Sequence, residues 1–147
     1  ELLKDVLILL ALSVERRANR YGLRGRGVTL KLTYTNMRTI SRSRALTHST
    51  ASAVTIHREA IALLDTVRWD PVRLVGVSLY NLSDHDEGQT VMRDMLENTE
   101  QQDAERQALL DHLQQRYGLD FAGHLEQIHR METMHKTIEY MRKHFRL

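Results

Sequence analysis

With 147 residues, 41% hydrophobic and 27% charged, the chain is long enough for one domain, or for a domain of about 80 to 90 residues with an appendage, and too apolar for wholesale disorder. It has no cysteine, which excludes disulfides and thiolate metal sites, and its longest apolar run, residues 6–12, falls far short of the ~20 residues needed to cross a bilayer. The net charge of +2 is unevenly spread, with ten Lys/Arg against three Asp/Glu in residues 1–50, three against four in 51–84 and eight against twelve in 85–147, so the positive charge gathers where a polyanion-binding face would need it.

Apolar residues at Leu3, Val6, Leu7, Leu10, Val14, Ala18 and Tyr21 have helical spacing, and Gly22 supplies a C-terminal stop. The stretch GLRGRG (22–27) reads as a glycine turn. From Val28 the period becomes two: Val28, Leu30, Leu32 and Tyr34 share one face of a strand, and Thr29, Lys31, Thr33 and Thr35 the other. Asn36 signals a turn. The following run, MRTISRSRAL (37–46), is strand-like but alternates imperfectly, because Ile40 shares parity with Arg38, Arg42 and Arg44, and a bulge is the simplest repair. A second helix is expected from N-cap candidates Ser49 and Thr50 to the Pro71 breaker, with Ala53, Ile56, Ala60, Leu63, Leu64 and Val67 at helical spacing. Residues 72–82, VRLVGVSLYNL, have two uncharged faces, as suits a central strand. The polar segment 83–90 reads as a linker, followed by helical patterns at about 91–116 and 121–145. The fold class is therefore α+β, a small antiparallel or mixed sheet backed by two helices over residues 1–84, with a mostly helical extension over 85–147.

The hairpin of the first two strands places hydroxyls and cations on or around one surface with almost no acid. Cations, hydroxyls and main-chain N–H groups hold phosphates without reading bases. Two Glu-x-x-His matches, Glu126 to His129 and Glu132 to His135, with His124 nearby, invite a metal site. They lie six residues apart on one helix, about 240° around at roughly 100° per residue, so they cannot converge on one ion. No glycine-rich phosphate loop, nucleophile–base set or thiol is present, so no catalytic residue is assigned. An RNA-binding module is disfavoured because the exposed strand faces lack base-stacking aromatics.

Four stretches, RRANRYGLRGRGVTLKLTYT, MRTISRSRAL, the Thr50 to Val67 helix and PVRLVGVSLYNL, together resemble the little finger, or polymerase-associated, domain of Y-family translesion DNA polymerases of the ImpB/MucB/SamB (UmuC-like) type. The resemblance implies a DNA-binding piece of a cytoplasmic lesion-bypass polymerase that grips duplex phosphates near the primer terminus. It implies no cofactor in this chain, the Mg2+ of the parent nucleotidyltransferase belonging to a palm that these residues do not include. Beginning at Glu1 without Met or a basic leader, the chain reads as a fragment. Carried onto matching positions, the DNA contacts are Lys31 and Thr33 in the first strand, Arg38, Thr39, Ser41, Arg42, Ser43 and Arg44 in the second, and Arg73 at the start of the last. Arg24 and Arg26 in the glycine turn are further candidates. The family's strand before the first helix is lacking here, leaving a gap that another copy could fill. Gln89 and Met92 echo a clamp-binding peptide without its aromatic residue. The competing function is a protein interaction module working through the helical tail, with the clamp, an accessory subunit or a second copy as partner. The acidic stretch 85–120 is a possible intramolecular competitor for the basic strands.

Overall fold

The computed structural model describes residues 2–84 and 89–117, with side chains described at 3–84 and 101–116. Six elements follow in the order α1 (Leu2–Tyr21), β1 (Leu23–Tyr34), β2 (Thr39–Thr50), α2 (Ala53–Leu64), β3 (Val72–Asp84) and α3 (Gln89–Tyr117). The strands form one antiparallel sheet in the order β2-β1-β3. Helices α1 and α2 pack on one face of it, and among the described residues the other face is left open. The α+β expectation holds.

Helix α1 is buried almost all round. Besides the expected stripe, Ile8, Leu9, Ala11 and Leu12 are buried, while Tyr21, expected on the stripe, is exposed. A helix apolar on every side needs cover on every side, and the sheet, α2 and α3 supply it. Leu113 of α3 is fully buried in the same core as Leu7, Leu30, Leu32 and Ile56, with Leu109 and Leu110 against it. Polar contacts fix the arrangement: the buried carboxylate of Asp5 lies 2.9 Å from His112 Nε2 and pairs with Arg116 Nε at 2.8 Å, Glu15 pairs with Arg106 at 2.9 Å, and Arg58 with Glu105 at 2.9 Å. The described side chains of α3 thus lie against α1 and α2, and Gln102 and Asp103 line the same cleft as Arg44 of β2.

Several expectations need correction. The glycine stretch is strand: β1 starts at Leu23, and only Gly22, at φ 65°, turns the chain. Gly25 and Gly27 serve close packing instead, since a Cβ on Gly27 would stand 2.0 Å from the Tyr80 ring and one on Gly25 2.8 Å from Leu79 Cβ. No bulge falls at Ile40, which sits in regular register opposite Leu32; the irregularity lies farther on, where Gly25 pairs with Thr50 and Gly27 with Ala45, so that β2 loops out between them. Ser49 and Thr50 end β2. The N-cap of α2 is Ser52, whose side chain makes no capping bond. Instead, the Ala53 N–H donates to Glu15 Oε2 at 2.7 Å, a carboxylate at the positive end of the helix. Helix α2 stops at Leu64, well before Pro71, and Thr66 and Val67 continue as tight turns onto Leu63 and Leu64. Val67 still packs on the core, which is why the apolar spacing outruns the helix. β3 is an edge strand, with β1 in the centre.

No helix among the described residues is long and apolar enough to cross a membrane. The histidine motifs at 124–135 and the helix expected at 121–145 lie outside the described residues.

Candidate nucleic-acid interface

Directly opposed residues on neighbouring strands point to the same face of a sheet, so the register sorts every candidate. Thr29, Lys31 and Thr33 of β1 oppose Ser43, Ser41 and Thr39 of β2, away from the buried Val28, Leu30 and Leu32. These six form a ladder on the open face. Its outer rungs close as hydrogen bonds, Thr29 Oγ1 to Ser43 Oγ at 2.8 Å and Thr33 Oγ1 to Thr39 Oγ1 at 3.1 Å, and Lys31 with Ser41 forms the middle rung. On the β3 side, Ser78 opposes Thr29 and Gly76 opposes Lys31. Gly76 has open space where a side chain would be, so the position opposite Lys31 on β3 is left unfilled.

Arg42 and Arg44 oppose Leu30 and Val28 and therefore leave β2 from its helix-facing side. The single surface expected for Lys31, Arg42 and Arg44 is thus corrected: they occupy the two faces of the hairpin. Both arginines are nevertheless exposed, because β2 is an edge strand that overhangs the helix layer. This also explains the broken alternation, since apolar-parity positions on an overhang need not be apolar. Arg42 Nη1 donates to the Ser41 carbonyl at 3.0 Å, and Arg44 Nε lies 3.4 Å from Glu59 on α2. From Thr39 to His48 only Ile40 and Leu46 of β2 are even half-buried, so hydroxyls on one side and guanidinium groups on the other flank one outward edge.

The remaining candidates divide. Arg38 is exposed in the β1–β2 turn, its N–H held by Asn36 Oδ1 at 2.9 Å, with Met37 between them at φ 70°. Arg73 is exposed at the same end, where one step on β1 (Thr33 to Tyr34) matches two on β3 (Leu74 to Val72). Arg26 is exposed but spans to the Thr47 carbonyl at 3.3 Å, reinforcing the looped part of β2. Arg24 is removed from the surface altogether. It is 7% exposed, and its Nε has no hydrogen-bond partner among the described residues; burial lowers its pKa from the ordinary arginine value. It lines a cleft with Glu15 and Asn19 of α1 and Arg44, Arg58 and Glu59, in which most charges are already paired.

Thr29 lies on the open face as its spacing predicts, though it is not among the expected DNA contacts; Ser78 joins it there without having been singled out, as does Tyr80, which opposes Gly27 on that face. The expectation that the exposed strand faces lack aromatics fails at this position. The signal was available: a residue two positions from Ser78 shares its face, but only once Gly27 is known to be strand. Among the described residues no group of three or more His, Asp or Glu is placed to hold a metal ion. Gln89 and Met92 fall in the first turn of α3.

Residues 1–92 match the family model described as the impB/mucB/samB family C-terminal domain. The chain is also similar to a DNA polymerase IV of Pelotomaculum thermopropionicum, 42% identical over 82 residues, covering 54% of this chain and 20% of that protein. A DNA polymerase IV of Clostridium kluyveri is 30% identical over 124 residues, covering 78% of this chain and 30% of that protein. The chain therefore spans less than a third of the length of these relatives.

Proposed function

The chain belongs to the impB/mucB/samB family as its C-terminal domain, the little finger of Y-family DNA polymerases, and from that premise we propose that it grips duplex DNA by its phosphates, without reading sequence, for a lesion-bypass polymerase whose chemistry lies in other parts of the protein. The observation that carries this reading is the edge strand β2, with Thr39, Ser41 and Ser43 on one side and Arg42 and Arg44 on the other.

An edge strand presents unpaired main-chain N–H groups. Here those donors run between a row of hydroxyls and a row of cations, with Lys31 behind the hydroxyls. A phosphate rail laid along this edge meets neutral donors, which fix its position, and positive charges, which supply affinity. None of these groups needs to reach a base edge. Arg38 and Arg73 extend the positive line at the turn end of the hairpin, whereas Arg24, being buried, takes no part.

The interaction-module reading draws less support. Leu109, Leu110 and Leu113, the large apolar residues of α3 whose side chains are described, pack on the domain's own core. Nothing among the described residues favours a clamp, an accessory subunit or a second copy over that intramolecular packing.

Duplexes of unrelated sequence but equal length should bind with equal affinity. Arg42→Glu with Arg44→Glu should weaken all of them by about tenfold or more. Binding that tracks sequence, or a double charge reversal that leaves affinity unchanged in a folded variant, would overturn the proposal.

A further inference from the structure

The sole tryptophan of the chain, Trp69, is 76% exposed, although aromatic side chains of this size normally contribute their area to a core or an interface. It is not on a loose loop. Tyr34 Oη donates to the Arg68 carbonyl at 2.9 Å, and the Thr35 N–H donates to the Pro71 carbonyl at 3.0 Å, so the segment is tied on both sides of Trp69 to the point where β1 enters its turn. That turn exposes a second large apolar residue, Met37, at 63%. Arg73 Nη1 lies 2.9 Å from Met37 Sδ, and Arg38 follows in the chain. The neighbouring acid, Asp70, is engaged by Arg68 at 3.4 Å.

One end of the hairpin therefore presents an exposed indole on a tied backbone segment and an exposed thioether, with Arg73 against the thioether and Arg38 next to it in the chain. Apolar exposure alone would suit many partners; the excess of cations selects a polyanion, and a flat ring beside guanidinium groups suits a polyanion whose bases are unstacked. A blunt duplex has no such bases to offer.

We propose that Trp69, with Met37, Arg38 and Arg73, forms a binding site for unpaired nucleotides, taking the single strand that continues from a duplex held along β2. The placement of the duplex rests on the phosphate-grip reading; the stacking site itself does not. Trp69 supplies the ring face for a base, Met37 extends the apolar surface, and Arg38 and Arg73 take the flanking phosphates.

Because Trp69 is the only tryptophan, its emission reports this site alone in the full 147-residue chain. Three DNAs serve as probes: a blunt duplex, the same duplex with a thymidine overhang, and the same duplex with an overhang of abasic residues. The thymidine overhang should quench Trp69 and bind about tenfold more tightly than the blunt duplex, the range expected for a stacked base. Trp69→Ala should abolish that gain without changing blunt-duplex affinity, and Trp69→Phe should restore part of it. An abasic overhang as effective as thymidine overturns the proposal, because phosphates alone would then explain it. So does an unquenched Trp69, which would point to a protein partner for this end of the hairpin. Failure of the blunt duplex to bind would count against the phosphate grip instead, and quenching by a thymidine oligonucleotide alone would still be read at Trp69.

Discussion

Gly25 and Gly27 pair with Leu82 and Tyr80 of β3, and they differ in what blocks a side chain. At Gly27 the obstacle is the Tyr80 ring, 2.0 Å from an added Cβ, whereas at Gly25 it is Leu79 Cβ at 2.8 Å and the Tyr80 carbonyl oxygen at 3.1 Å. A ring can swing away; a backbone carbonyl cannot. Gly25→Ala should thus cost about 1–3 kcal/mol, the usual range for overpacking, and Gly27→Ala less. Pairing each with Tyr80→Ala should cancel most of the cost at Gly27 and little of it at Gly25, measured by denaturant unfolding. Equal rescue at both positions would refute this account. The same two residues show why part of the site was hidden in the sequence. Glycine is the usual punctuation of a chain, so the stretch reads as a turn, but here it is the strand interior that needs residues without side chains. With the turn reading went the expectation of Arg24 at the surface and the oversight of Tyr80.

Between elements, α2 brings a histidine against α1, near Asp5 and His112. His57 Nε2 is buried without a partner among the described residues. Its pKa is lowered from the ordinary value of 6.5, first by desolvation and then by His112, against the opposing pull of Asp5 and of the backbone at Lys4. Below about pH 6.5 the unfolded chain therefore binds a proton that the folded chain declines. Stability should fall as pH drops through that value, until the folded His57 also protonates. His57→Phe should flatten this part of the profile when melting is compared at about pH 7 and about pH 5; an unchanged pH dependence would exclude His57 as its source. Helix existence and order were legible from apolar spacing, and the ends were not. α2 starts at Ala53, where Glu15, a residue of another helix, accepts from the first N–H, and no local pattern around residue 50 contains that information. The place of β3 at the sheet edge was likewise illegible, because an edge covered on one side can be as uncharged as a centre.

For the molecule as a whole, the α+β class, the hairpin and the hydroxyl-bearing face could all be read from the period-two pattern of residues 28–35. The division of the cations could not. Imperfect alternation in residues 37–46 was met with a bulge, which would have gathered the arginines with Lys31. The regular register instead sets Arg42 and Arg44 opposite Leu30 and Val28. What unites the two groups is that, among the described residues, β2 has no strand on its outer side, so that both its faces border one edge. A grip along that edge makes Lys31, Arg42 and Arg44 parts of one binding line, though they stand on opposite faces of the sheet.

The measurement that bears most directly on this line is the salt dependence of duplex affinity. For the wild-type chain, log affinity should fall linearly with log salt, by about 0.9 for each phosphate neutralised. Lys31→Ala and Arg42→Ala should each make that slope shallower by about 1, equally on every duplex sequence, and together by about 2. A slope that changes for one of the two residues and not the other would mean that DNA touches a single face of the hairpin, and would contradict the edge grip.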